Sequence, residues 1–364
     1  MGEIYGHTVP TMDMTPSEQE AVRIVLRVCV SLSIFGDFVI INGCFRKKLS
    51  SWTTYHRILV IMSFADIFSS LWYGVGDASV PAPHGSGSQA LCTAQGFFEQ
   101  FLLCVPLLNA MLAANYLVVL KYQWSHEKVR RYEPIAYIAI FTVCLILAII
   151  PLPLQMYNYA FMWCFIAESP PGCSLPGSTV PCVRGHGAPE YQFYLCYIPL
   201  WLSVLFSAVA MYLVYTVVRD QDRKINKLVA SQMKRFENTK RLVKQALLYV
   251  TAFFITWFFV TVMRLYNAAT GNFSFPLAVL SVTFMPAQGF FNMLCFMYPR
   301  IVKLQLMGGC SLRQKFYFVF GFIDASQVSR VRETSIDLDT HVPYGKGKEG
   351  PYEEKPACET VWSQ

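Results

Sequence analysis

Long apolar runs alternate with short polar connections seven times along this chain. The runs lie near 21–44, 56–77, 92–120, 133–156, 192–217, 245–267 and 275–298. Each reaches or exceeds the roughly 20 residues an α-helix needs to cross the hydrocarbon core of a membrane. The pattern predicts an all-α membrane protein, a seven-transmembrane-helix bundle with its two termini on opposite faces. The expected organisation is a short extracellular tail over 1–20 and a bundle over 21–300. A juxtamembrane amphipathic segment over 301–323 and a disordered cytoplasmic tail over 324–364 follow.

Composition agrees with the pattern. Of 364 residues, 54% are hydrophobic and 15% charged, whereas soluble globular chains carry roughly 25% charge. The net charge of +7 is placed by topology rather than by a nucleic-acid surface. Arg46, Lys47, Lys48 and Arg57 fall in the first connection on one side, and Lys121, Lys128, Arg130 and Arg131 in the second. Nine more run from Arg219 to Lys244 in the third, giving 17 on that side. The opposite loops carry Arg184 alone, or four basic residues when Arg23, Arg27 and Arg264 at helix ends are counted. Short-loop Lys/Arg excess faces the cytoplasm, so the N-terminus is expected outside and the C-terminus inside. The basic side also suits anionic membrane lipids, and no nucleic-acid partner is expected. The first twenty residues hold Glu3, Asp13, Glu18 and Glu20 and show no cleavable signal peptide. A tail this short is too small for a folded ligand-binding domain, so the bundle and its loops must catch any ligand.

Cysteine placement marks the compartment. Cys29, Cys44, Cys104, Cys144, Cys196 and Cys295 sit in or at the ends of spans and read as small packing residues. Cys92 opens the third span, while Cys164, Cys173 and Cys182 lie in the long loop 157–191, which faces an oxidising medium. The expected pairs are Cys92 with Cys164 and Cys173 with Cys182. Four cysteines allow three pairings, and the sequence does not choose among them. No histidine falls at metal-ligand spacing within this set, so neither a metal nor a cofactor is expected.

Three motifs carry a resemblance. The third span opens Cys92-Thr-Ala-Gln95-Gly96-Phe97-Phe98, and the long outer loop contains Met162-Trp163-Cys164-Phe165. The last span reads Met285-Pro286-Ala-Gln288-Gly289-Phe290-Phe291-Asn292. Together these resemble the cyclic-AMP-receptor-like (class E) family of G-protein-coupled receptors, itself distantly similar to secretin-like receptors. The resemblance covers about residues 20–305. It implies a cell-surface receptor in the plasma membrane that rearranges its helices on binding an extracellular ligand and activates a heterotrimeric G protein. It does not imply that cyclic AMP is that ligand. Asn115-Tyr116-Leu117 replaces the Asp-Arg-Tyr of rhodopsin-like receptors, and no mid-span lysine offers a retinal Schiff base in the seventh run.

Polar groups at membrane depth are costly and point to function. Asp37, Asp66, Asn109, Gln288 and Asn292 form a candidate intramembrane polar switch, or a static tie between helices. Near the outside, Gln95, Glu99, Trp201, Trp257, Arg264 and Tyr266 are candidate ligand-binding residues. Aromatic residues also collect at membrane interfaces without any ligand. Glu99 and Arg264 are expected to pair with each other or to hold opposite ends of a ligand. Pro106, Pro151, Pro153, Pro199 and Pro286 fall within runs, Pro286 being the expected hinge. Lys224–Lys244 reads as a helical extension joining the fifth and sixth spans. Cys310 is a candidate for palmitoylation and Asn272-Phe-Ser274 for glycosylation. No Ser/His/Asp grouping or phosphate loop suggests catalysis. A transporter or channel, and a receptor-like protein without G-protein coupling, are the competing readings. No internal repeat supports the transporter.

Overall fold

The computed structural model describes residues 14–174, 178, 180–223, 230–270 and 273–305. Helix α1 runs Pro16–Phe45, starting well before the apolar run because its cap sets the start. Thr15 Oγ1 accepts from the Glu18 amide at 3.3 Å, while the Glu18 carboxylate accepts from the Thr15 amide at 2.8 Å. That reciprocal box satisfies two amides that a helix start leaves free, and Pro16 needs no donor there. α2 spans Thr54–Val75, which moves Arg57 from the expected connection into a helix.

The third span is two helices, α3 over Gln89–Phe101 and α4 over Cys104–Leu120. Pro106 explains the break. Its ring would meet the Leu102 carbonyl, and it has no N–H to donate there. Val105 donates to that carbonyl instead, at 2.9 Å. α5 covers His126–Ile149. The expectation that this span reaches 156 is corrected, because Pro151 and Pro153 cannot continue a helix and the chain turns over 150–155. Strands β1 (Tyr157–Tyr159) and β2 (Cys164–Ile166) follow. The fifth span is α6 (Ala188–Gln192), a π turn over Phe193–Tyr197 and α7 (Ile198–Arg223). α8 runs Ala230–Thr270, and α9 (Phe275–Phe284) and α10 (Gln288–Gln305) make a pair bent by 49°.

Contacts close a ring in the order α1, α2, α4, α7, α8, α9 and back to α1. α5 packs outside that ring on α3 and α4, with 17% of its apolar window buried. Buried polar ties replace what proline removes. Pro199 has no N–H for the Leu195 carbonyl, which receives Gln100 Nε2 from α3 at 2.9 Å. Pro299 likewise cannot donate to the Cys295 carbonyl, which receives Gln245 Nε2 from α8 at 3.1 Å. Replacing Gln100 with Leu is expected to cost about 1–3 kcal/mol, the penalty of an orphaned buried acceptor. A melting curve of the detergent-solubilised chain reads this, and an unchanged midpoint would refute it.

Residues 1–13, 175–177, 179, 224–229, 271–272 and 306–364 lie outside the described residues. Asn272, Cys310, most of the 301–323 segment, the 324–364 tail and the first six residues of the Lys224–Lys244 extension therefore fall there too, while the rest of that extension is helical within α8. Helix α10 does continue through 301–305.

Candidate functional site

The site is built around the β1–β2 hairpin. Its strands pair antiparallel, Tyr157 with Ile166, Asn158 with Phe165 and Tyr159 with Cys164. The turn between them is apolar, and Phe161, Met162 and Trp163 are buried among Leu26 and Val30 of α1, Met263 of α8 and Val282 of α9. A loop normally keeps to the surface because its backbone needs partners. Here α3 supplies them.

Cys92 is bonded to Cys164, with Cα atoms 5.2 Å apart. One turn along α3, Gln95 Oε1 accepts from the Cys164 amide at 2.7 Å and from Ser79 Oγ. Its Nε2 donates to the Trp72 carbonyl at 2.9 Å. At Gly96 a Cβ would come within 2.5 Å of the Tyr157 ring, so only glycine lets the hairpin lie so close. Burial raises the Tyr157 phenol above its ordinary value, which keeps it a donor to the Ala148 carbonyl at 2.8 Å. The Cys-x-x-Gln-Gly motif is thus a clasp for the hairpin. Cys173 and Cys182 form the second bridge, closing a subloop. Glu168 stands beside them, but sulfurs joined to each other offer no thiolate to a metal.

Beneath the hairpin lies a cavity of about 60 Å³, lined among others by Asp66, Tyr73, Glu99, Trp257, Arg264 and Gln288. Glu99 follows Gln95 by four residues, which puts it on the same helical face one turn deeper. It is 5% exposed, and neither carboxylate oxygen makes a well-formed hydrogen bond, the Tyr73 hydroxyl being its polar neighbour. Arg264 reaches the Ala160 carbonyl through Nη2 at 3.4 Å, and its Nε is buried without a partner. Ion pairs among the described residues include Arg23–Glu20, Arg23–Asp77 and Arg57–Glu133, and none joins Glu99 to Arg264. Glu99 and Arg264 therefore share a cavity without joining each other.

Three of the candidate ligand-binding residues stand outside this cavity. Gln95 has its oxygen and nitrogen engaged in the clasp. Trp201 packs edge-on to Phe254 and is not among the lining residues. Tyr266 is 39% exposed on the surface, away from the cavity.

Deeper, the polar positions form a second constellation. Ser33 Oγ donates to Asp66 Oδ2 at 3.2 Å and accepts from the Gly289 amide at 2.8 Å. That amide is free because α10 has just begun, after the break at Met285–Ala287. Asp37 is fully buried, faces Asp66, and has neither oxygen hydrogen-bonded. Gly36 and Gly289 make the approach possible: a Cβ on Gly36 would sit 2.5 Å from the Gly289 carbonyl oxygen. Gln288 and Asn292 are buried on α10. Asn109 does not join them. It bonds the Val105 carbonyl at 3.4 Å and lines a separate small cavity with Tyr116, Ser207 and Tyr249. Ser33 and Gly36 escaped the sequence reading, although Gly36 directly precedes the intramembrane Asp37. Replacing Gly289 with Ala puts a methyl 2.3 Å from Asp37 Oδ2 and 2.6 Å from the Ser33 carbonyl oxygen. Overpacking of this kind is expected to cost about 1–3 kcal/mol, and an unaltered melting midpoint would refute it.

Among the described residues six helical spans are long and apolar enough to cross a membrane, or seven with the bent α9–α10 pair counted as one span. The fold is that of a multi-pass seven-helix membrane bundle. A crystal structure of squid rhodopsin is similar to it, with a TM-score of 0.62 and 18% identity, covering 95% of this chain and 99% of that one. At that identity the likeness is one of fold. No protein-family model matches the chain, and no curated protein sequence matches it.

Proposed function

We propose that the chain is a plasma-membrane receptor of the cyclic-AMP-receptor-like type, similar at a distance to secretin-like receptors. In this reading the N-terminus and the hairpin face the outside, the C-terminus is cytoplasmic, and a heterotrimeric G protein binds the inner face. One observation carries the reading. The cavity that holds Glu99 and Arg264 is also lined by Met285, Pro286 and Gln288, where the seventh span bends by 49°. A ligand resting there touches the bend directly. The next residue, Gly289, is bonded to Ser33 and through it to Asp66. Ligand contacts that differ between two bend angles would shift their populations, which is what signalling across the bundle requires.

The test is expression of the full chain with a panel of heterotrimeric G proteins, reading nucleotide exchange with and without candidate ligands. Exchange above that of untransfected membranes is the expected result. Silence with every G protein, together with solute uptake into vesicles, would replace the receptor with a transporter. Ligand binding with neither activity would leave a receptor-like protein that does not couple.

A further inference from the structure

Glu99 and Arg264 carry a further inference, which rests on the receptor reading and names the chemistry of its ligand. This chain shows elsewhere how it satisfies a structural charge. Glu133 accepts from Arg57 Nε at 2.7 Å, from Arg57 Nη2 at 2.5 Å and from Thr54 Oγ1 at 2.9 Å. Glu99 makes no such bond, with only the Tyr73 hydroxyl beside it, and Arg264 Nε has no partner. Both Glu99 oxygens and Arg264 Nε are thus buried in one cavity without well-formed hydrogen bonds, a cost in stability that a ligand bonding them would recover. The Trp257 indole N–H, in the same lining, is likewise buried without an acceptor.

We infer that the cavity binds a compact zwitterion of amino-acid size, its ammonium on Glu99 and its carboxylate on Arg264 and the Trp257 N–H. The dimensions agree. A cavity of about 60 Å³ exceeds several-fold the roughly 10–15 Å³ needed to admit a single water, and so admits a small ligand and excludes a large one. Tyr73 and Trp163, which meet edge to face at 5.2 Å, both line the cavity and make its wall aromatic. A simple amine leaves the guanidinium unmatched, and a simple acid leaves the carboxylate unmatched. Sites built to hydrogen-bond a substrate group reject the analogue that lacks it.

The experiment uses the full chain, purified in lipid nanodiscs. The probes are the twenty common amino acids, β-alanine and γ-aminobutyrate, each with its decarboxylated amine and its N-acetylated acid. Calorimetry and thermal shift read binding without any G protein. At least one zwitterion is expected to bind at least tenfold more tightly than both of its analogues. Glu99→Gln is expected to erase its advantage over the acetylated acid, and Arg264→Gln its advantage over the amine. If no zwitterion binds, or if the analogues bind equally well, the inference is overturned. The comparison on the unaltered chain decides this even where a variant fails to fold. Zwitterion binding with no nucleotide exchange would sink the receptor reading and leave the inference standing. Exchange driven by an uncharged ligand at this cavity would do the reverse.

Discussion

Replacing Cys92 or Cys164 with Ser is expected to remove most of the chain from the cell surface. The bridge joins residues 72 apart, and closing a loop of that length removes about 4 kcal/mol of unfolded-state entropy. Set against a total stability of roughly 5–15 kcal/mol, that is a large share. The loss also spreads. Cys164 holds the hairpin at the point where Gln95 receives its amide, and the turn beyond it buries Phe161, Met162 and Trp163 between α1, α8 and α9. Releasing the bridge loosens all three contacts. The second bridge gives an internal control, because Cys173 and Cys182 are 9 apart. The same chain-entropy argument yields about 2–3 kcal/mol for it, and none of the described residues of its loop lines the cavity. Surface labelling and melting of the variants should therefore rank Cys92 and Cys164 well below Cys173 and Cys182. Equal losses at the two bridges would contradict the clasp.

The second large effect belongs to Arg57. Its partner Glu133 has a side chain only 4% exposed, while Arg57 is 27% exposed. Truncating Arg57 to Ala strands a buried carboxylate, with the Thr54 hydroxyl and the Tyr137 hydroxyl at 3.3 Å as its remaining donors. Breaking a buried pair from one side typically costs about 3–5 kcal/mol. Glu133→Leu should cost less, because the longer and more exposed guanidinium can turn to water. The double variant Arg57→Met with Glu133→Leu should recover much of the loss, since removing both charges removes the desolvation penalty as well. Melting midpoints of the four proteins complete a double-mutant cycle. A cost below about 1 kcal/mol for Arg57→Ala would mean the pair behaves as an exposed one.

Hydropathy located the seven crossings because a membrane span announces itself locally, by length and apolarity. Helix boundaries answered to other signals. Thr15-Pro16-Ser17-Glu18 starts α1 well ahead of its apolar run, and Pro151 ends α5 inside one. Both were readable as caps and breakers, had those been weighed above hydropathy. The site was legible only in part. Glu99, Arg264 and Trp257 stood out as polar or indole groups near the outer side and Gln288 as one at membrane depth, and the fold brings them to one cavity. Gln95 stood out for the same reason yet serves the hairpin, since a single turn of helix separates the clasp from the cavity. What no local pattern holds is contact at a distance. Arg57 meets Glu133 across 76 residues, and Ser33 meets Gly289 across 256. The vacant hydrogen-bonding atoms of Glu99 and Arg264 appear only once every neighbour is in place.

The glutamine ties at proline positions also bear on mechanics. A proline bend with a free carbonyl is a soft joint, able to flex as the carbonyl finds and loses partners. Gln100 and Gln245 turn two such joints into struts, each pinning a carbonyl of one helix to the side of another. Motion in the bundle would then run as the sliding of α3 with α7, and of α8 with the Cys295 turn, as linked bodies. Bending is left to the segment 285–287, where the chain carries no glutamine strut of this kind among the described residues.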